Sequence, residues 1–475
     1  MTCIADISSS IASIAEIVCG YPLFFLLIGG GLYLFVSSGM VSLRMLPAAL
    51  RELRTKESRG EGQISSAQAL ASVVAATIGM GNIAGVAIAL VMGGPGAIFW
   101  MWVSAIVGMT TKYHEGALAI MYRGRDALGR PQGGTMHIIE QGLGRRWSPV
   151  AKFFAVAGLF GTLGIMNANQ LTEAFMSTFS TPDSISNSGF LSSVGSVLSL
   201  SNASAYKFLF GCAVATIVAV VILGGIRRIA NVASVMVPFM VAVYFAMVLY
   251  IIISHYTEVP AVFARIFNEA FNLRAGFGAF AGIAIIGARR AAFVNDAGIG
   301  TATIMHGASA NDRPAREGLI AMLGPSIDSG LVCTLTALAI LLCGDVSTEG
   351  LKGLEIAMNT FRGAIPGGEY MLMLVVLCFA LSSLFSYSFY GTTCATYLFG
   401  TKRGQYYRIF FVLTIVIFAV VPLEAAVGLC DFFYAMMALP TMITVIALSH
   451  KVRSATREYI SSRQLKSKET INENA

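Results

Sequence analysis

Runs of predominantly apolar residues, most of them about 20 long, follow one another along almost the whole chain, near 17–39, 67–92, 96–120, 150–178, 207–224, 231–254, 277–303, 317–343, 369–399, 406–422 and 427–449. As helices such runs match the hydrocarbon thickness of a bilayer, and a helix pairs its own backbone polar groups where lipid offers no partner. The reading is an all-α polytopic membrane protein of about 11 transmembrane helices. The chain is 56% hydrophobic and only 12% charged, whereas soluble domains carry about 25% charged residues.

An odd number of spans puts the termini on opposite faces. Most of the 32 Lys and Arg residues fall in loops on one face, among them Arg44, Arg51, Arg54, Arg123, Arg125, Arg130, Arg145, Arg146, Arg227, Arg228 and the basic residues of the tail. Across the membrane lie only Lys207, Arg265, Arg274, Lys352 and Arg362. The positive-inside rule therefore places the amino terminus outside and the tail in the cytoplasm of a multi-pass cell (inner) membrane protein. The net charge of +7 reports this topology and gives no ground for a nucleic-acid partner. No Lys or Arg precedes the first span, only Asp6 and Glu16, so it lacks a secretory signal's basic start and is expected to be retained. The Ser-rich stretch 180–204 is expected as an outward loop, and the tail after Lys451 as partly disordered.

The second span carries an interruption. Thr77-Ile78-Gly79-Met80-Gly81-Asn82-Ile83-Ala84-Gly85 sits in its middle. Each glycine weakens a helix by about 1 kcal/mol relative to alanine, and the Asn82 amide finds no partner in lipid. Close helix packing at Gly81 and Gly85 is one account of the glycines. A break lining a polar cavity is the other, and the Thr77 hydroxyl and Asn82 amide favour it. Such a cavity supplies what a dehydrated small cation needs. A second glycine-punctuated segment, Gly276 to Gly300, occupies the corresponding position in the other half of the chain and enters from the opposite face. Paired interrupted spans mark a midplane site in secondary transporters, where half-helix amino termini meet an anionic group and freed carbonyls hold a coupling cation. The division is then 1–66 for an extra helix and linker, 67–255 and 276–449 for two five-helix repeats, and 450–475 for the tail.

Other polar groups lie at membrane depth. Asn167 and Gln170 share a helix face. Ser382 and Ser383 follow Phe379 by three and four residues, so their hydroxyls and its carbonyl can converge on one cation or simply bond within the helix. Lys112 and Glu115 are spaced for an internal ion pair. Asp328, mid-span with no neighbouring base, needs a cation, a proton or a distant partner. Arg290, Asn295 and Asp296 sit where a gate is expected, although helix capping also accounts for Asp296. Five histidines make no metal spacing, eight scattered cysteines read as small buried hydrophobes, and no catalytic triad, HExxH or phosphate loop appears. The chain does not read as an enzyme, and uphill work must draw on an ion gradient.

At these residues the sequence resembles the alanine or glycine:cation symporter family. The resemblance is carried by Thr77-Ile78-Gly79-Met80-Gly81-Asn82-Ile83-Ala84-Gly85-Val86, by Gly93-Gly94-Pro95-Gly96-Ala97-Ile98-Phe99-Trp100-Met101-Trp102, by Gly108-Met109-Thr110-Thr111-Lys112-Tyr113, by Gly224-Gly225-Ile226 and by Asn295-Asp296-Ala297-Gly298-Ile299-Gly300. It spans roughly residues 40 to 450. It implies a leucine-transporter-like fold of five plus five inverted helices with one extra amino-terminal helix, and sodium-coupled uptake of alanine, glycine or D-alanine. It also implies sodium, as coupling ion and not prosthetic group, at Ala75, Thr77, Ile78, Asn82, Phe379, Ser382 and Ser383. The substrate carboxylate would meet Gly79, Met80 and Gly81, the amino group the carbonyls of Phe280, Ala281 and Gly282, and Asn167 and Tyr387 would complete the pocket.

The chain departs from that family where Met80 replaces threonine, Asn167 glutamine, Ser386-Tyr387 a Gly-Trp pair, Thr392 glutamate and Val294-Asn295-Asp296 a Ser-Asn-Glu string. A bulkier Met80 and a shorter Asn167 could favour a different small amino acid. The leading expectation is sodium-coupled alternating access in the lipid bilayer, with no obligatory protein partner evident. Proton coupling through Asp328, and a transporter-like amino-acid sensor, are the alternatives.

Overall fold

The computed structural model describes residues 21–54, 62–271, 277–343, 353–421 and 423–473. Cys3, Cys19, Arg274 and Lys352 lie outside them. The described chain is helical apart from loops and one two-residue antiparallel strand pair, Gly124–Arg125 with Pro131–Gln132. In chain order the helices that build the site are α1 (Pro22–Ser37), α2 (Ser66–Thr77) and α3 (Gly81–Gly93), α4 (Gly96–Met121), α5 (Ser148–Gly161) and α6 (Ile165–Phe179). They continue with α7 (Asn202–Ile222), α8 (Gly225–Ser254), α9 (Phe277–Val294), α10 (Thr301–His306) and α11 (Pro314–Cys343). The last four are α12 (Leu354–Ala364), α13 (Gly368–Gly404), α14 (Tyr407–Val420) and α15 (Leu423–Glu473).

Six helical stretches among the described residues are long and apolar enough to span a bilayer, and the bent pair α2–α3 makes a seventh. Helices also occupy the other four expected spans, as α1, α4, α9 and α14, each shorter or more polar than that, so the count of 11 rests on the sequence. Two groups of helices pack against one another. The central α4 touches α1, α9, α10 and α11; α5 and α6 lean on α13 and α15, and α7 on α14. The half-helix α2 lies between α8 and α13.

Two expectations fail here. The Ser-rich stretch forms two short helices, Pro182–Ser186 and Gly189–Leu198. Ser188 caps the second, and Ile185 and Leu191 pack on Ala205 at the foot of α7. The tail, expected as partly disordered, is helical to Glu473. The last helix runs on through it, with Thr456 bonded to the Tyr113 hydroxyl at 2.7 Å and Tyr459 to Glu52 at 2.5 Å. One face of an otherwise polar segment thus gains buried partners, which composition alone does not disclose.

A buried carboxylate ties three helix ends together. Glu317, at the start of α11, accepts from Ser66 at the start of α2 (2.5 Å), from Asn311 (3.0 Å) and from the His306 ring at the end of α10 (2.6 Å). A charge removed from water is tolerable when its lone pairs are met in this way.

Candidate functional site

The first interruption is where the sequence put it. Ile78 leaves the helix with φ −71° and ψ 100°, and α2 and α3 meet at a bend of 57°. Asn82 explains how the chain survives the break: its Oδ1 accepts the Gly79 N–H at 3.0 Å, as a capping side chain does, while its own N–H donates to the Gly79 carbonyl at 3.1 Å. The Asn82 Nδ2 donates to Asp328 Oδ1. Asp328 lies on a widened π-helical stretch of α11, Ser326–Val332, a local unwinding frequent at functional sites. Its second oxygen accepts no hydrogen bond from the described residues. Sequence left Asp328 in need of a cation, a proton or a distant partner, and Asn82, 246 residues away, gives one of its oxygens a hydrogen bond.

Beside the break, four oxygens converge. The hydroxyls of Ser382 and Ser383 lie 3.1 and 3.0 Å from the Ala75 carbonyl, and each is 3.0 Å from that of Phe379. The bonds to Phe379 are the local ones that serines make within a helix; those to Ala75 cross from α13 to α2. All four residues are buried. Each hydroxyl can turn its hydrogen away and present a lone pair, and carbonyl and hydroxyl oxygens are what a hard cation binds. One turn further along, Ser386 donates to the Ser72 carbonyl at 2.8 Å, holding the two helices in register.

A cavity of about 260 Å³ opens on the other side of the break. Thr77, Gly79, Met80 and Gly81 form one wall, Asn167 and Tyr387 another, and Arg290 and Asp296 a third. Its volume is below the range of about 300–1,000 Å³ usual for drug-sized ligands, which suits a solute of a few heavy atoms. Three groups that sequence reading missed also line it: Cys430, Asp431 and Tyr434, the last donating to the Tyr387 hydroxyl at 2.6 Å. Asp431 carried a usable signal, a carboxylate inside the last apolar run. The wall at Gly161, Gly164 and Ile165 comes from a kink between α5 and α6, where Gly164 takes φ +63°.

The second interruption falls at the far end of the Gly276–Gly300 segment. From Phe277 to Val294 the helix α9 continues unbroken, so Phe280, Ala281 and Gly282 lie within a regular helix. The chain unwinds instead at 295–300, where Asp296, Gly298 and Gly300 take φ of +52°, +90° and +94°. Glu115 of α4 holds it open: one carboxylate oxygen accepts the N–H groups of Gly298 at 3.2 Å and Gly300 at 3.0 Å. The expected Lys112–Glu115 pair exists at 3.9 Å, yet the helix break is the stronger claim on that carboxylate. Asn295 turns away from the cavity, its side chain accepting from the Ala297 N–H at 3.0 Å and lying against Gly108.

Two interrupted helices enclosing a small polar cavity, with an oxygen cluster at the first break, define a secondary transporter. Its backbone is similar to that of a solved structure, MhsT in complex with L-phenylalanine, at a TM-score of 0.53 and 16% sequence identity over 80% of this chain and 88% of that one, which establishes the leucine-transporter-like fold. The chain belongs to the sodium:alanine symporter family, whose model matches residues 4–473, and is accordingly a sodium-coupled amino-acid symporter and not an enzyme. Among its relatives are the sodium/alanine symporter AgcS of Methanococcus maripaludis, 36% identical over 96% of this chain and 97% of that protein, and an uncharacterized transporter of Haemophilus influenzae, 35% identical over 95% and 96%. A probable sodium/glutamine symporter of Bacillus subtilis, GlnT, is 31% identical over 91% and 87%.

Proposed function

We propose that this protein carries a small neutral amino acid into the cell together with sodium, with alanine the first candidate and glycine and D-alanine the next. The observation that carries the proposal is the oxygen cluster of Ala75, Phe379, Ser382 and Ser383, set against a cavity of about 260 Å³. In this reading sodium draws α2 and α13 together through those four oxygens and the neighbouring Thr77 and Ile78. The backbone N–H groups of Met80 and Gly81 receive the substrate carboxylate at a half-helix amino terminus, beside Gly79, whose own N–H is held by Asn82. The ammonium group is assigned to the carboxylate of Asp296 and the carbonyls of the second break, in place of Phe280, Ala281 and Gly282. Asn167 and Tyr387 close the side-chain end, and Met80, fully buried at the cavity wall, limits its size. Arg290, Asn295 and Asp296 flank the break as its gating elements. The two five-helix repeats, with the amino terminus outside and the tail in the cytoplasm, rock about this site in the inner membrane.

Asp328 favours a second reading. A buried carboxylate with one oxygen bonded only to an amide requires a positive charge or a proton. It serves either as part of a second cation site with Asn82 or as a proton carrier.

Uptake of labelled alanine, glycine and D-alanine into proteoliposomes decides between them. A sodium gradient is expected to drive accumulation, and Ser382→Ala with Ser383→Ala to raise the sodium concentration for half-maximal uptake about tenfold. Accumulation driven by a proton gradient alone, and lost in Asp328→Asn, would replace sodium by the proton.

A further inference from the structure

A second cavity, of about 500 Å³, shares no lining residue with the first. It lies between Gly62 and Gln63, which lead into α2, the loop 126–132, the α7–α8 turn and the corner between α13 and α14. Three guanidiniums line it, those of Arg130, Arg227 and Arg408. Its one carboxylate, Asp126, is already committed. One of its oxygens meets Arg130 at 2.8 and 2.9 Å, and the other accepts the N–H groups of Leu128 and Arg130 at 2.8 and 2.9 Å.

Arg227 and Arg408 have no acceptor among the described residues. Arg408 is half-buried and within Coulomb reach of Arg130. Like charges converging on one concavity repel, and the low-dielectric walls focus their field on any anion that enters. The threonines do not compete for this role: Thr392, Thr393 and Thr396 donate to carbonyls of their own helix at 2.6, 2.9 and 2.8 Å. Recognition is left to planar guanidinium forks, which pair with oxyanions two bonds at a time. A carboxylate fills one fork, whereas a tetrahedral phosphate offers oxygens to the open forks of Arg227 and Arg408 and to the N–H groups that Arg130 has left beside Asp126.

We propose that this cavity binds a phosphate-bearing anion, held by Arg130, Arg227 and Arg408. The phosphate can come from a soluble compound, or from a lipid headgroup, since Arg408 stands between the exposed Tyr406 and Ile409. A bound anion bridges the segment that leads into α2 to the α13–α14 corner, and so stiffens the half-helix that carries Ala75.

The test uses the full chain in nanodiscs of phosphatidylcholine, with inorganic pyrophosphate as the soluble probe at constant ionic strength and thermal unfolding as the readout, which needs no transport. Pyrophosphate is expected to raise the unfolding temperature of the native protein and of the control Arg362→Gln. Arg227→Gln with Arg408→Gln should abolish the rise. Arg408→Lys keeps the charge but loses the fork, and should weaken apparent affinity by about tenfold; it stands in for the double variant if that does not fold. In a parallel arm, nanodiscs containing phosphatidylglycerol identify the lipid source if they give an Arg408-dependent rise that pyrophosphate alone does not. No rise in either arm, or the same rise in the arginine variants, would overturn the proposal.

Discussion

The two interrupted helices reach the same outcome by different means. At the first break the chain supplies its own repair, Asn82 capping Gly79 three residues back. At the second the local sequence supplies only permissive backbone, two glycines and Asp296 at positive φ, and the hydrogen-bond acceptor is Glu115, more than 180 residues away. A self-capped break is a local property, whereas one held from another helix depends on the packing of α4 against it. Mutation at the second should therefore disturb the whole bundle, and at the first mainly the site.

The largest effect is expected from Glu115→Ala. It strands two buried N–H groups at roughly 1–3 kcal/mol each, so thermal unfolding should show about 4 kcal/mol lost and uptake should vanish. Glu115→Gln, which keeps an acceptor oxygen, should recover most of the stability; equal losses in both would point to the charge and not the cap. Gly300→Ala comes next, since a Cβ there would lie 2.4 Å from Thr135 Oγ1 at a φ of +94°. A cost of about 3 kcal/mol measured in the same assay is the expected outcome.

Asn82→Ala should cost less, about 2 kcal/mol, while removing most sodium-dependent uptake, because it undoes one cap and releases Asp328. A stability loss as large as that of Glu115→Ala would erase the contrast between the breaks. Ser382→Ala with Ser383→Ala removes two ligands without stranding a buried donor. It should change stability by about 1 kcal/mol and raise the sodium concentration for half-maximal uptake about tenfold. The smallest effect is expected at Gly282, in the helix that sequence reading took to be broken. With nothing among the described residues within 4 Å of its Cβ position, Gly282→Ala should leave uptake unchanged and add up to about 1 kcal/mol of helix stability. Lost uptake there would return the substrate's amino group to the carbonyls of Phe280, Ala281 and Gly282.

Much of the site was legible because its chemistry is local. Glycine beside Asn82 in an apolar run can be read without a fold, as can the Phe379, Ser382 and Ser383 spacing on one helix face. Where within 276–300 the second break falls was not legible, because glycine has two uses in a membrane helix. Gly287 illustrates the packing use: its Cβ position falls 2.2 Å from the Ala97 carbonyl, so it lets α9 approach α4. Gly298 and Gly300 illustrate the other, a backbone conformation that residues with a Cβ rarely adopt. Composition treats both alike.

By itself the sequence determined that the chain is a bundle of membrane helices and that one of them breaks at Gly79. Those follow from the cost of unpaired polar groups in lipid, which acts on each segment whatever surrounds it. Only the tertiary structure decided that Ala75 meets Ser382 and Ser383, that Asn82 meets Asp328, and that Glu115 reaches Gly298 and Gly300. Each joins helices far apart in the chain. Their meeting depends on how side chains fill the space between helices, a property of the assembled bundle and not of any one segment.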